Sequence, residues 1–112
     1  MSLDVCLEIP QLNGSDPECV YSANITHNLG NMADAAGIYK ALWRPDENGI
    51  EYAHQLLEPL QRGLDLLKAD PTKYQAFDSP NGWGLYIHFV PFVEKYLQAC
   101  HQYPLASISV CR

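Results

Sequence analysis

The 112-residue chain has no apolar run near the roughly 20 residues a membrane-spanning helix needs. Its start, Met1-Ser2-Leu3-Asp4, has neither a basic n-region nor an apolar h-region, so no export signal is expected. Basic residues are few: 7 Lys and Arg stand against 13 Asp and Glu, a formal net charge of −6. They are scattered over Lys40, Arg44, Arg62, Lys68, Lys73, Lys95 and Arg112, with no cluster to track a phosphate backbone. Nucleic acid is therefore not an expected partner, and neither is a membrane. No block of five like charges occurs, so the acidic excess reads as solubility and not as an acidic tail.

The cysteines, Cys6, Cys19, Cys100 and Cys111, have no C-x-x-C spacing, which leaves no zinc knuckle or dithiol motif. With no export signal the expected compartment is cytoplasmic and the thiols reduced, serving as small apolar side chains. Cys6 and Cys111 become neighbours if the two terminal segments pair. Asn24-Ile25-Thr26 fits a glycosylation sequon, which a cytoplasmic chain would not use. H-E-x-x-H, G-x-S-x-G, a Walker-type loop and G-x-G-x-x-G are all missing. Glu51 and His54 have E-x-x-H spacing, but carboxylate-bridged metal proteins need it twice. No metal, cofactor or catalytic residue is expected. There are no repeats and no linker, so residues 1–112 read as one domain, with enough apolar residues (47%) for a core.

What is there begins with alternation. Leu3, Val5, Leu7 and Ile9 alternate with Asp4, Cys6 and Glu8, the period of a half-buried strand that Pro10 ends. Gln11 to Pro17 reads as a loop and Cys19-Val20-Tyr21 as a short strand. Ile25, Leu29, Met32, Ala36, Tyr39 and Trp43 then fall on one helical face, capped by Asn24 or Thr26 and ended by Pro45. A second stripe on that helix is small: Thr26, Gly30, Ala33 and Gly37. Interior glycines cost about 1 kcal/mol each relative to alanine. Either something packs closely against this stripe, or Gly37 divides the helix in two.

Ala53, Leu57, Leu60, Leu64 and Leu67 mark an amphipathic helix, kinked or restarted at Pro59. Asp70-Pro71 opens a short helix over Thr72–Phe77. After a loop from Asp78 to Gly84, two apolar stripes run side by side. One is Tyr86, Val90, Val93, Leu97 and Cys100; the other is Leu85, Phe89, Phe92 and Tyr96. So wide an arc implies a helix covered on two sides, centrally or in an interface, with a bend at Pro91. Ala106, Ile108 and Val110 form a closing strand. The expected fold class is α+β. Three main helices and a short one pack on a small sheet formed by the N- and C-terminal strands, in the order β-α-α-α-β.

Three polar constellations are candidate ligand-binding sites. Asn24, Thr26, His27 and Asn28, with Asn31 one turn on, crowd a helix start with donors and acceptors. The same residues also fit a well-capped helix with a solvated rim. Trp43 and Arg44 offer a stacking face and a cation, or else a core ring and a charge complementing the helix C-terminus. In Asn81-Gly82-Trp83-Gly84-Leu85-Tyr86, flanking glycines let the indole sit at the surface. His27, Asn28, Arg44 and Trp83 are expected to line one pocket. Arg44 lies about 25 Å from His27 along a straight helix. It joins only through a break at Gly37 or across a subunit interface.

The run from Asn24-Ile25-Thr26-His27-Asn28-Leu29-Gly30-Asn31-Met32-Ala33 through Gly37-Ile38-Tyr39 to Leu42-Trp43-Arg44-Pro45, with Asn81-Gly82-Trp83-Gly84-Leu85-Tyr86, resembles a family of small uncharacterised bacteriophage and bacterial proteins. The resemblance spans about residues 20–112. It implies no activity. A phage setting would suggest an anti-defence factor, either an inhibitor or a sponge for a signalling nucleotide. The leading functional expectation is a non-enzymatic binder of a small polar, nucleotide-like ligand. The alternative is a protein-interaction or inhibitor module, and the third reading is a small hydrolase or metal enzyme. A two-fold homodimer is expected from the wide arc of the last helix and the small-residue stripe.

Overall fold

The computed structural model describes residues 2–12, 14 and 16–112. Strand β1 (Ser2–Ile9) follows the alternation, with Leu3, Val5 and Leu7 buried. It is the centre of a three-stranded antiparallel sheet, with β2 (Glu18–Thr26) on one side and β3 (Ser107–Cys111) on the other. The terminal strands pair as the matched patterns predict, with Val5 opposite Val110 and Leu7 opposite Ile108. The third strand is longer than the Cys19–Tyr21 segment read from the sequence, because β2 runs on to Thr26. Of the expected loop Gln11–Pro17, Asn13 and Ser15 lie outside the described residues.

The helix read from Ile25 to Trp43 is corrected at its start and in its middle, while its end at Trp43 stands. Ile25 lies in β2 opposite Leu3, and its inward side chain continues the helical stripe only by coincidence of phase. Thr26, not Asn24, makes the cap: its Oγ1 accepts the Asn28 N–H at 3.3 Å. A single 3-10 turn, His27–Leu29, leads into α1 (Gly30–Ala35), and the chain then breaks before α2 (Tyr39–Trp43). Gly37 makes the break with φ +78°, a backbone few residues other than glycine adopt readily. No atom lies within 4 Å of a Cβ placed there, so nothing among the described residues packs closely against Gly37.

Helix α3 (Leu57–Ala69) places Pro59 in its first turn, where the missing N–H is not needed, after a 3-10 turn at Ala53–Leu56. Ile38, between α1 and α2, seats its Cγ2 directly over Gly63 of α3. Asp70 caps the short α4 (Pro71–Gln75) through the Lys73 N–H at 3.3 Å. Helix α5 (Tyr86–Gln102) is central. Phe89, Phe92, Val93, Tyr96, Leu97 and Cys100 are all buried within one core shared with the sheet and α3. Tyr96 stacks on Tyr21 of β2 at 5.9 Å. The wide arc is thus covered mainly by the chain itself, which removes the reason for reading it as a subunit interface.

The other face of the sheet is polar. Ser2, Asp4, Cys6 and Glu8 line up there with Ser22 and Asn24 of β2 and Ser107, Ser109 and Cys111 of β3. The reduced-thiol expectation is corrected on this face, since Cys6 and Cys19 form a disulfide. A bulge at Val20 sets Cys19 opposite Glu8, beside Cys6, a register that sequence spacing does not reveal. Cys111 is a free, exposed thiol, and Cys100 is in the core, where burial pushes its thiol up to about 12.

Candidate functional site

The site forms where the end of β2 meets the loop before α5. Loop order comes from side-chain bonds to backbone. Asn81 Oδ1 accepts the Trp83 N–H at 2.9 Å and the Ser79 hydroxyl at 2.6 Å, an Asx-type turn. Asp78 Oδ1 accepts the Tyr86 N–H at 2.7 Å and so caps α5. Gly84, at φ +110°, lies against β2: a Cβ there would sit 2.9 Å from Asn28 Cβ and 3.3 Å from Thr26 Cγ2. Asn28 Nδ2 completes the clamp by donating to the Trp83 carbonyl at 2.8 Å. Held by its backbone, Trp83 turns its indole outward, 70% exposed.

This clamp encloses an open concavity of about 720 Å³. Asn24, Thr26, His27, Asn28, Asn81, Trp83 and His88 line it, with Ser2 at one edge and Ile25 and Leu29 as apolar wall. Among the described residues its lining contains no Lys, Arg, Asp or Glu. His27 is half-buried, and its Nε2, shielded from solvent, has no hydrogen-bond partner among the described residues. The imidazole stands edge-on to Trp43, 6.1 Å between centroids at 75°. A second concavity, about 690 Å³, lies on the other side of His27 and Asn28 and takes in Asn31, Asp34, Tyr39 and residues 77–80.

The structure therefore brings together Asn24, Thr26, His27, Asn28, Asn81 and Trp83, and places Asn31 in the adjoining concavity. Three expected members lie elsewhere. Trp43 is only 3% exposed and stacks on Tyr39 at 5.2 Å, a core ring beneath His27. Arg44 does not join although the chain breaks at Gly37, because its Nη1 pairs with Glu47 at 2.7 Å. That bond, with a second to Tyr39, raises the Arg44 pKa further. Tyr86 donates its hydroxyl to the Leu67 carbonyl at 2.7 Å and ties α5 to α3. Sequence reading passed over Ser2 and His88. Its one available signal was that His88 follows the glycine-rich loop into the first turn of α5 and so shares its side.

Hydrogen-bond inventory shows what the cavity can offer a ligand. Asn24 Nδ2 already donates to Ser2 Oγ and Asp4 Oδ1, at 2.9 and 2.6 Å, and among the described residues its Oδ1 accepts no hydrogen bond. Asn28 likewise keeps Oδ1, and Asn81 keeps its NH2 donors. Two imidazoles add donors or acceptors, but they do not amount to a metal ligand set. Among the described residues no three His, Cys, Asp or Glu side chains gather as one could expect around an ion. No helix of the described residues is long and apolar enough to cross a membrane. Comparison with family models, with curated proteins and with solved structures gives no match.

Proposed function

We propose that the chain is a non-enzymatic binding protein that holds a small, polar, nucleotide-like ligand in the concavity between Asn24–Asn28 and Asn81–Trp83. One observation carries this reading: a concavity lined by amide and imidazole side chains and rimmed by an exposed indole. An exposed tryptophan offers a flat face for stacking. Free amide acceptors beside amide donors suit the edge of a heterocyclic base. The lining has no fixed cation for a phosphate, so recognition rests on the base and not on the phosphate.

A thermal-shift series with nucleosides, their monophosphates and cyclic dinucleotides tests the reading. A bound ligand stabilises by RT ln(1 + [L]/Kd), so saturating nucleoside raises Tm and the monophosphate adds little. His27→Ala abolishes the shift while moving the unliganded Tm by only a few degrees. No shift with any member of the series defeats the reading.

The second reading is a protein-interaction module, in its simplest form a two-fold homodimer. Trp83 and Ile87, 70% and 62% exposed, favour it. No observation favours a hydrolase or metal enzyme. The phage or bacterial setting, the anti-defence role and a host-cytoplasm location rest on the segment resemblance alone. The Cys6–Cys19 bond counts against that location, because cytosolic thiols are mostly kept reduced.

A further inference from the structure

Three of the four cysteines stand on the solvent-facing side of one sheet. Cys6 is on the central strand. On one side Cys19 lies opposite Glu8, two residues further along β1, with Cα atoms of Cys6 and Cys19 6.1 Å apart. On the other side Cys111 lies opposite Asp4, two residues back. The three therefore fall on one diagonal across β2, β1 and β3, with Cys6 in the middle. Diagonal neighbours in an antiparallel pair have Cα atoms roughly 7–8 Å apart, against an upper range of about 6.8 Å for a disulfide. A shift of up to about 1 Å at the last residue of β3 closes that difference.

We propose that this face is a thiol–disulfide exchange site in which Cys6 passes between Cys19 and Cys111. The register places Cys6 between Cys19 and Cys111, so the attacking and leaving cysteines flank the central one on opposite strands, as displacement at a disulfide requires. Cys111, as the thiolate, attacks Cys6 Sγ. The Cys6–Cys111 bond forms as the Cys6–Cys19 bond breaks, and the electron pair leaves on Cys19 Sγ. Cys19 then takes up one proton, balancing the one Cys111 gave up. Cys111 sulfur is oxidised by one electron equivalent as Cys19 sulfur is reduced by one, so the step is redox-neutral overall and no outside oxidant or reductant enters it. Cys100 takes no part, being buried in the core away from this face.

The two pairings constrain the chain differently. Cys6–Cys19 closes the β1–β2 hairpin and leaves β3 without a covalent tie to the sheet. Cys6–Cys111 joins the outermost strands in sequence and leaves Cys19 as an exposed thiol on β2.

Peptide mapping of the full chain tests this. The protein is purified without reductant, equilibrated at mildly alkaline pH, quenched in acid and alkylated. Glutamate-specific protease and chymotrypsin then place Cys6, Cys19, Cys100 and Cys111 in separate peptides. The wild type should yield both Cys6–Cys19 and Cys6–Cys111 linkages, and Cys111→Ser only the first. Cys19→Ser, with circular dichroism matching the wild type and glutathione disulfide as oxidant, should yield only Cys6–Cys111. A wild-type map with Cys6–Cys19 alone overturns the proposal, and that arm does not depend on any variant folding. A folded Cys19→Ser protein whose Cys6 and Cys111 end as separate glutathione adducts overturns it equally.

Discussion

Replacing Gly84 by alanine tests how the cavity is built, and Gly82 is its control. Both glycines have positive φ, +110° and +78°. A Cβ at Gly82 meets nothing within 4 Å, so Gly82→Ala suffers only the left-handed backbone penalty, roughly 1–2 kcal/mol. At Gly84 the φ lies outside the small left-handed basin and costs roughly 2–3 kcal/mol. The new Cβ also collides with Asn28 Cβ, an atom fixed close to the backbone that cannot rotate away. Overpacking of that kind adds about 1–3 kcal/mol. Gly84→Ala should therefore destabilise by about 3–6 kcal/mol unless the loop lifts off β2. If the loop lifts, the loss is smaller but the Asn28–Trp83 bond and the cavity mouth go with it. Urea denaturation with unchanged m gives the stability, and the nucleoside thermal shift reports the cavity. Stability losses equal within about 0.5 kcal/mol for the two variants, with the ligand response of Gly84→Ala intact, would refute the clamp.

Gly63→Ala gains about 1 kcal/mol of helix propensity but drives a methyl into Ile38 at about 1–3 kcal/mol, so a net loss of up to about 2 kcal/mol is expected. A double-mutant cycle with Ile38→Ala should show coupling of at least 0.5 kcal/mol in order of magnitude, and additive losses would contradict the contact. Tyr96→Phe removes a buried hydroxyl that has no partner, and its midpoint in urea should rise by the equivalent of about 1 kcal/mol. Asp46 is held below the usual carboxylate range chiefly by its hydrogen bond from Arg112. Its contribution is present above that range and is lost as pH falls through the lowered folded value. The stability gap between wild type and Arg112→Ala should therefore narrow on acidification; a gap independent of pH would sever the link.

Patterns with one structural cause were legible in the sequence. The alternation at Leu3–Ile9 and Ala106–Val110 specified two strands with a buried face, and two such strands at the ends of one chain had to pair with something apolar. The α3 and α5 stripes were legible for the same reason. What misled was a stripe with two causes. Ile25 points inward from a strand and Leu29 inward from the turn that follows, and together they imitate one helical face. Register was invisible. The Val20 bulge that joins Cys6 to Cys19, and the seating of Ile38 on Gly63, depend on contacts no local spacing encodes. At the candidate site, the Asn24–Asn28 and Asn81–Trp83 segments stood out by their own chemistry. The fate of Arg44 was set by Glu47, three residues away, which any placement of the helix end would have brought within reach.

The account stands most directly on where a nucleoside binds. Amide and side-chain NMR spectra of the uniformly labelled chain, recorded along a nucleoside titration, locate it. The account predicts saturable shifts at Thr26, His27, Asn28, Asn81 and His88 and at the Trp83 indole N–H, with the Trp43 indole, buried beneath His27, moving less. Shifts confined to the α3–α5 surface around Leu57, Leu66 and His101, or none up to millimolar nucleoside, would contradict it.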